Sequence, residues 1–111
     1  MRILICDDDA LAIEQIHKNL KSFFTYNHTK CPEIISYSCG EDLLSDTGNK
    51  DIVFLDIEMP GMNGIYVGNE LKKSNPAVYI IIFNTLLLLH IRGLLLWRKK
   101  LFKQLFILII Y

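Results

Sequence analysis

The sequence predicts an α/β domain built on a parallel sheet. Short apolar runs alternate with longer segments whose apolar residues recur at helical spacing, and this alternation continues to residue 83. Most of the runs are apolar without interruption, so their strands are expected to be buried on both faces by covering helices. A length of 111 residues suits one domain, and 51% hydrophobic residues can supply its core.

The first four elements follow each other closely. Arg2–Cys6 is an apolar run that predicts a buried strand. Residues 10–24 carry apolar side chains at helical spacing, and Asp9 precedes them as an N-cap. A polar loop leads to a second strand over Glu33–Tyr37, and residues 39–45 predict a short helix.

The next elements repeat the same order. Residues 51–55 predict the third strand and residues 77–83 the fourth, since both are continuous and apolar. Between them, the Pro and Gly content of residues 56–64 predicts a loop. Residues 65–73 then predict a helix that ends before Pro76.

The pattern stops near residue 84, and the charge changes in the same region. The net charge is zero, but all twelve carboxylates and five of the twelve Lys/Arg lie in residues 1–70. Residues 71–111 hold the other seven Lys/Arg and no acid. Such an asymmetry can indicate nucleic-acid or membrane contact. We interpret it as a change in the origin of the sequence, with a domain over residues 1–85 and an atypical apolar and basic tail over residues 86–111.

The cysteines and the N-terminus favour the cytoplasm. Cys6, Cys31 and Cys39 have no CxxC spacing and are odd in number, so neither a disulfide framework nor a zinc site is expected. Cys6 lies in an apolar run and is expected to be a small buried residue. Free thiols fit a reducing compartment. The apolar run before Asp7 is too short for a secretory signal, so export is not expected.

Acidic residues follow two of the predicted strands. Asp7, Asp8 and Asp9 follow the first strand, and Asp56 follows the third. Acids at strand ends are often helix caps or solvated turns. However, neighbouring strands lie about 5 Å apart, and ligands of parallel sheets bind outside the carboxyl ends of the strands. If the two strands are adjacent, the carboxylates can converge, hold Mg²⁺ through hard oxygen ligands, and leave one oxygen to attack phosphorus.

Two motifs resemble those of the receiver domains of bacterial two-component response regulators. Residues 3–9 read Ile-Leu-Ile-Cys-Asp-Asp-Asp, and residues 51–64 read Asp-Ile-Val-Phe-Leu-Asp-Ile-Glu-Met-Pro-Gly-Met-Asn-Gly. The resemblance covers residues 1–85 and implies a flavodoxin-like (CheY-like), doubly wound parallel sheet. The Asp56 loop and Tyr79–Phe83 are similar to receivers of the LytTR regulators.

The resemblance implies roles for five residues. Asp56 matches the phosphoacceptor, which also lies in the metal shell. Asp8 matches the acid that binds Mg²⁺ directly, and Asp7 its neighbour that acts through water. Glu58 matches the position whose backbone carbonyl completes the shell, and Thr85 the hydroxyl that contacts the phosphoryl group. The expected partner is a sensor histidine kinase, with homodimer formation on phosphorylation, and the expected catalysis is limited to the protein's own phosphotransfer and dephosphorylation.

The tail departs from the family pattern. The family places a helix, a fifth strand and a Lys-Pro pair after the position of Thr85, but no Lys-Pro pair exists here, and Lys103 is the nearest substitute. We interpret residues from about 84 onward as out of frame or unrelated, which would leave the sheet incomplete after the fourth strand. A truncated, signalling-defective remnant or a receiver-like interaction module is therefore an alternative function.

Other classes fit less well. With 111 residues there is no room for an output domain, so nucleic-acid binding by this chain is not expected. His90 and Arg92 interrupt the apolar run before the roughly 20 residues that a membrane span needs, although a tail helix lying on a membrane surface stays open. A phosphatase of the haloacid dehalogenase type needs an Asp-x-Asp pair, and Glu58 stands at its second position.

Overall fold

A computed structural model describes residues 1–83 and the backbone of residues 109–110. Its strands are β1 (Arg2–Cys6), β2 (Glu33–Tyr37), β3 (Ile52–Asp56), β4 (Tyr79–Phe83) and β5 (Ile109–Ile110), and its helices are α1 (Ala10–Tyr26), α2 (Gly40–Ser45) and α3 (Gly64–Ser74). The predicted bounds of β1 and β2 are confirmed. The other predicted elements begin and end within two residues of their predicted bounds.

The strands form one sheet in the order β2-β1-β3-β4-β5. The first four strands are parallel, which confirms the predicted doubly wound sheet, and their order is that of flavodoxin-like folds. β1 therefore lies between β2 and β3. β5 is two residues long and pairs antiparallel with β4 through Ile81 and Ile82. Of the tail, only the backbone of residues 109–110 is described, and its interpretation as out of frame stays a prediction.

The sheet carries a core on each face. Alternate strand residues point to opposite faces, so each strand contributes to both cores. On one face lie Leu4, Cys6, Val53, Leu55, Ile80 and Ile82, packed with residues of α2 and α3. On the other face lie Ile3, Ile5, Phe54 and Phe83, packed against Ile16 of α1. Burying each of these larger apolar side chains stabilises the fold by about 1.5–3 kcal/mol.

Both longer helices begin at a polar cap directly after the loops that hold the acids. The Asp9 side chain accepts a hydrogen bond from the backbone N of Leu11 at 2.9 Å, as predicted for an N-cap. The Asn63 side chain accepts one from the backbone N of Ile65 at 2.7 Å. These caps fix where α1 and α3 start relative to β1 and β3. Among the residues that the structure describes, no helix combines the length and apolar character needed to cross a bilayer.

A charged network joins the start of β1 to the loop before β3. Arg2 donates from both terminal nitrogens to Asp46, at 2.7 and 2.9 Å, and the hydroxyl of Tyr37 also donates to Asp46. The ammonium of Lys50 donates to the backbone carbonyl of Asp46 and lies 3.8 Å from its carboxylate. Chiefly through the bond from Arg2, the pKa of Asp46 falls well below its ordinary value. We call Arg2, Tyr37, Asp46 and Lys50 the Asp46 network.

Candidate metal centre

The order of the strands brings the acids after β1 and β3 to one edge of the sheet. Cys6 pairs with Leu55, so Asp7 and Asp56 follow neighbouring positions. The backbone N of Asp7 donates to the carbonyl of Tyr37 at 3.1 Å, which continues the pairing with β2 beyond the end of β1. Similarly, the backbone N of Ile57 donates to the carbonyl of Phe83 at 2.9 Å. A backbone hydrogen bond to a neighbouring strand therefore holds the chain at or next to each acid.

The carboxylate oxygens of Asp7, Asp8 and Asp56 lie within 4.8 Å of one another. Asp7 and Asp56 are fully buried, whereas Asp8 is exposed. Together the three residues form what we call the acidic pocket. Burial of two carboxylates beside a third is unfavourable unless cations or hydrogen-bond donors compensate the charge. The exposed Asp8 places the open side of the pocket at the start of the loop after β1.

Backbone amides fix the orientation of the two buried acids. The N of Asp9 donates to Oδ1 of Asp7 at 2.9 Å, and the N of Glu58 donates to Oδ1 of Asp56 at 3.3 Å. Each bond reaches an amide two residues further along, as in an Asx turn. Such bonds favour the charged form of a carboxylate and restrict its rotation. The side chains are therefore held with their carboxylates directed into the pocket.

Of the other residues predicted in or near the site, the structure describes Glu58 and Asp9. Glu58 lies in the loop after β3 with an exposed side chain, and its amide contacts Asp56. Asp9 caps α1, as predicted from its place before the helix. Thr85 and Lys103 lie outside the described residues, so their predicted roles stay predictions.

A contact between two sulfur atoms joins β1 to the loop after β3. The thiol of Cys6 donates to Sδ of Met59 at 3.6 Å, and both residues belong to the core. Burial raises the pKa of Cys6 to about 12, with smaller contributions from Cys39 and the nearby acids. The thiol consequently stays protonated, which confirms that Cys6 is a packing residue. The contact with Met59 was not predicted, because no local pattern links residues 6 and 59.

The donor set of the pocket suits a small, hard divalent cation. Mg²⁺ binds through a few carboxylates and keeps several positions for water and phosphate oxygens. Three carboxylates, one of them at the solvent side, provide such a set. The same cation would offset the repulsion between the two buried charges. The arrangement can therefore hold a metal next to a fixed carboxylate nucleophile.

Comparison of the sequence with known protein families shows which family the chain belongs to. The model of the response regulator receiver domain matches residues 3–86. The chain belongs to the response regulator receiver family. This is a family of signalling proteins, and the match includes both motifs of the sequence, residues 3–9 and 51–64.

Relatives of this receiver domain occur in proteins of different kinds. The sensory transduction protein LytT of Bacillus cereus is 36% identical over 84 residues, which are 72% of this chain and 32% of that protein. The cyclic di-GMP phosphodiesterase of Thermotoga maritima is 30% identical over 82 residues, 74% of this chain and 20% of that protein. The chain thus spans about a third or less of the length of the curated relatives it matches. The similarity to LytT agrees with the predicted likeness to LytTR receivers.

A solved receiver shows the same fold. The response regulator TrrA of Thermotoga maritima, in complex with Mg²⁺ and BeF, has a TM-score of 0.65 and 34% identity, over 75% of this chain and 68% of that one. The same regulator in complex with the histidine kinase ThkA has a TM-score of 0.63 over 75% of this chain and 67% of that one. The predicted CheY-like fold is confirmed.

Proposed function

We propose that this receiver domain takes a phosphoryl group from a sensor histidine kinase onto Asp56, with Mg²⁺ as the cofactor. Asp7, Asp8, Asp56 and the backbone carbonyl of Glu58 would hold the metal. The observation that carries the proposal is the acidic pocket, in which three carboxylates from the ends of adjacent strands lie within 4.8 Å of one another.

The reaction is a transfer between two nucleophiles. An oxygen of Asp56 forms a bond to phosphorus while the P–N bond of the phosphohistidine breaks, and the electron pair of that bond leaves on the imidazole nitrogen. The amide of Glu58 holds the attacking carboxylate, so little freedom remains to be lost in the transition state. When bound, Mg²⁺ would supply positive charge to the transferring oxygens. Attack of water on the resulting acyl phosphate releases phosphate and restores the carboxylate.

The proposal also includes the bounds of the domain, the role of Thr85, the partners and the cellular compartment. Residues 1–85 would form the receiver portion, and residues 86–111 the tail. Thr85 would contact the phosphoryl group and help to switch conformation. The complex of TrrA with ThkA supports a kinase partner, and the three free cysteines suit the cytoplasm. We further propose that phosphorylation favours a homodimer and that this stretch of chain does not itself bind nucleic acid.

A signalling-defective receiver is the second candidate. The missing Lys-Pro pair in the sequence favours it, because a lysine normally shares the charge of the phosphoryl oxygens in this family. In that case Asp56 would take phosphate slowly, unless Lys103 replaces the lysine, and the domain would act as an interaction module. The two candidates differ in the rate of phosphorylation.

The test is phosphorylation by acetyl phosphate in the presence of Mg²⁺, followed by intact mass and by sensitivity to hydroxylamine. We expect one phosphate on the wild-type chain and none on Asp56→Asn. Asp9→Asn is the matched control, because it removes a neighbouring acid while asparagine still caps α1. Phosphate that persists on Asp56→Asn would remove Asp56 from the mechanism. Phosphorylation of the wild type that is very slow at saturating Mg²⁺ would favour the second candidate.

A further inference from the structure

We propose that Gly64 is a positioning residue for phosphotransfer, because its missing side chain lets the start of α3 pack directly on the peptide that carries Asp56. This inference rests on the proposed function. The sequence indicated only that Gly64 is the last residue of the loop predicted over residues 56–64. The contacts indicate a more specific role, in which Gly64 sets the position of the backbone between Asp56 and Glu58.

The space at Gly64 is closed by backbone atoms. A Cβ built there would lie 2.3 Å from the carbonyl O of Asp56, 2.8 Å from Cα of Ile57 and 3.0 Å from the carbonyl C of Asp56. Real Cβ atoms essentially never show contacts under 3.0 Å, and two of these three atoms would lie closer than that. Since none of the three belongs to a flexible side chain, an added methyl group must displace either α3 or the peptide after Asp56.

Both of these parts are anchored. The backbone N of Gly64 donates to the carbonyl of Ile57 at 3.0 Å, which ties the helix start to the loop. α3 is held in the core by Val67 and Leu71, which are almost fully buried. The peptide is held from the other side by the bond from Ile57 to Phe83 at 2.9 Å. A displacement is therefore forced on a segment with contacts on two sides.

The displaced segment holds the groups that the proposed reaction uses. Cα of Ile57 lies between Asp56 and Glu58, and the amide of Glu58 orients the Asp56 carboxylate at 3.3 Å. The carbonyl of Glu58 is the backbone ligand proposed for Mg²⁺. A shift at residue 57 thus changes the direction of both groups.

Two other glycines, Gly61 and Gly68, show how the role of Gly64 differs from glycine's usual roles. Gly61 is the glycine with positive φ, +79°, among the described residues, so conformational freedom is needed there and not at Gly64. Gly68 lies one turn further along α3, and a Cβ there would have ordinary contacts, the nearest atoms being 3.8 Å away. Gly68→Ala is therefore a matched control for adding a methyl group to the same helix.

The experiment measures Mg²⁺ binding by calorimetry, with the metal alone, and the Mg²⁺ dependence of phosphorylation by acetyl phosphate. In the full chain, we expect Gly64→Ala to weaken Mg²⁺ binding and to slow phosphorylation by about 10- to 100-fold, as changes behind a metal shell do. Gly68→Ala should stay within about twofold of the wild type, because its contacts are ordinary. Equal Mg²⁺ affinity and rate in all three proteins would overturn the role of Gly64.

Loss of stability is controlled by a second variant. Gly68→Ala favours the helix, because alanine replaces glycine in its interior, so the double variant Gly64→Ala/Gly68→Ala offsets part of any destabilisation. If this folded double variant binds Mg²⁺ like Gly68→Ala, Gly64 is merely structural and the inference fails. If the wild type binds Mg²⁺ but takes no phosphate, the proposed function fails, while the affinities still decide on Gly64. A wild type that binds no Mg²⁺ overturns both.

Discussion

Around Asp46, side chains bring positive charge and hydrogen-bond donors to one carboxylate, whereas in the acidic pocket three carboxylates are brought to one another. Both groups depend on residues distant in sequence: Arg2 reaches Asp46, and Asp7 reaches the edge of the sheet where Asp56 lies. The first arrangement stabilises the fold through its contacts. In the second, a bound cation would offset the repulsion between the carboxylates. The comparison separates a structural cluster from a candidate functional one in the same small domain.

The largest difference should appear in the reaction itself. Asp56→Asn should abolish phosphorylation by acetyl phosphate, because an amide oxygen is a poor nucleophile, while Asp46→Asn should leave the phosphorylated fraction near that of the wild type. Intact mass after incubation with Mg²⁺ measures both. Loss of phosphorylation in a folded Asp46→Asn variant would contradict this expectation and would show that the Asp46 network and the acidic pocket are coupled.

The free energy of unfolding should depend on Asp46, although phosphorylation should not. Asp46→Ala should lower the free energy of unfolding by about 2–4 kcal/mol, because it leaves the partly buried guanidinium of Arg2 and the hydroxyl of Tyr37 without their acceptor. Urea denaturation followed by circular dichroism measures the change. Glu70→Ala is the control: it removes an exposed ion pair with Lys73 and should change stability little. Equal losses in the two variants would mean that burial of Asp46 does not matter.

Removal of the metal should act on the acidic pocket alone. Mg²⁺ at a hundred times its dissociation constant should stabilise the wild type by about 2.7 kcal/mol relative to a chelator. Asp8→Asn should lose most of this gain, and Asp9→Asn should keep it, as seen in thermal melts with and without Mg²⁺. An undiminished gain in Asp8→Asn would show that the metal binds elsewhere.

Acid should affect the Asp46 network by a smaller amount. The pKa of Asp46 is lowered in the folded state by Arg2, so its contribution is fully present above the ordinary value of 3.8 and is lost as the pH falls toward the folded value. The loss should be smaller than in Asp46→Ala, because protonated Asp46 keeps its shape. We expect the stability difference between wild type and Asp46→Asn to shrink between pH 5 and pH 3, measured by urea denaturation at each pH. A constant difference would contradict this.

Much of the fold could be predicted because it follows from local patterns. The apolar run of β1 indicated its bounds directly, since a strand buried on both faces has few polar positions. β2 lies at the edge of the sheet and is only partly buried, and its bounds were also as predicted. α1 was predicted to end at residue 24, yet it continues to Tyr26. Thr25 and Tyr26 are both exposed, so they add no apolar residue to the buried face, and the last helical bond runs from the backbone N of Asn27 to the carbonyl of Phe23.

The candidate site could be predicted only in part. Asp7, Asp8 and Asp56 were recognisable because each follows a strand, and the order of the strands brings them together. The Asp46 network was not predicted, because Arg2 and Asp46 are joined by tertiary contact and belong to no local pattern. The sequence placed Gly64 at the end of a predicted loop, but the close approach of the carbonyl of Asp56, which excludes a side chain there, is a tertiary contact that no local pattern shows.

The position of β1 between β2 and β3 also affects synthesis on the ribosome. β1 is made before its neighbours, and Ile3 of β1 pairs with Ile52 of β3. At elongation rates of about 5–20 residues per second, β1 lacks this partner for roughly 2–10 s after it is made. Its apolar residues are among the most buried in the finished domain, and during that interval they depend on the nascent chain or on chaperones for cover.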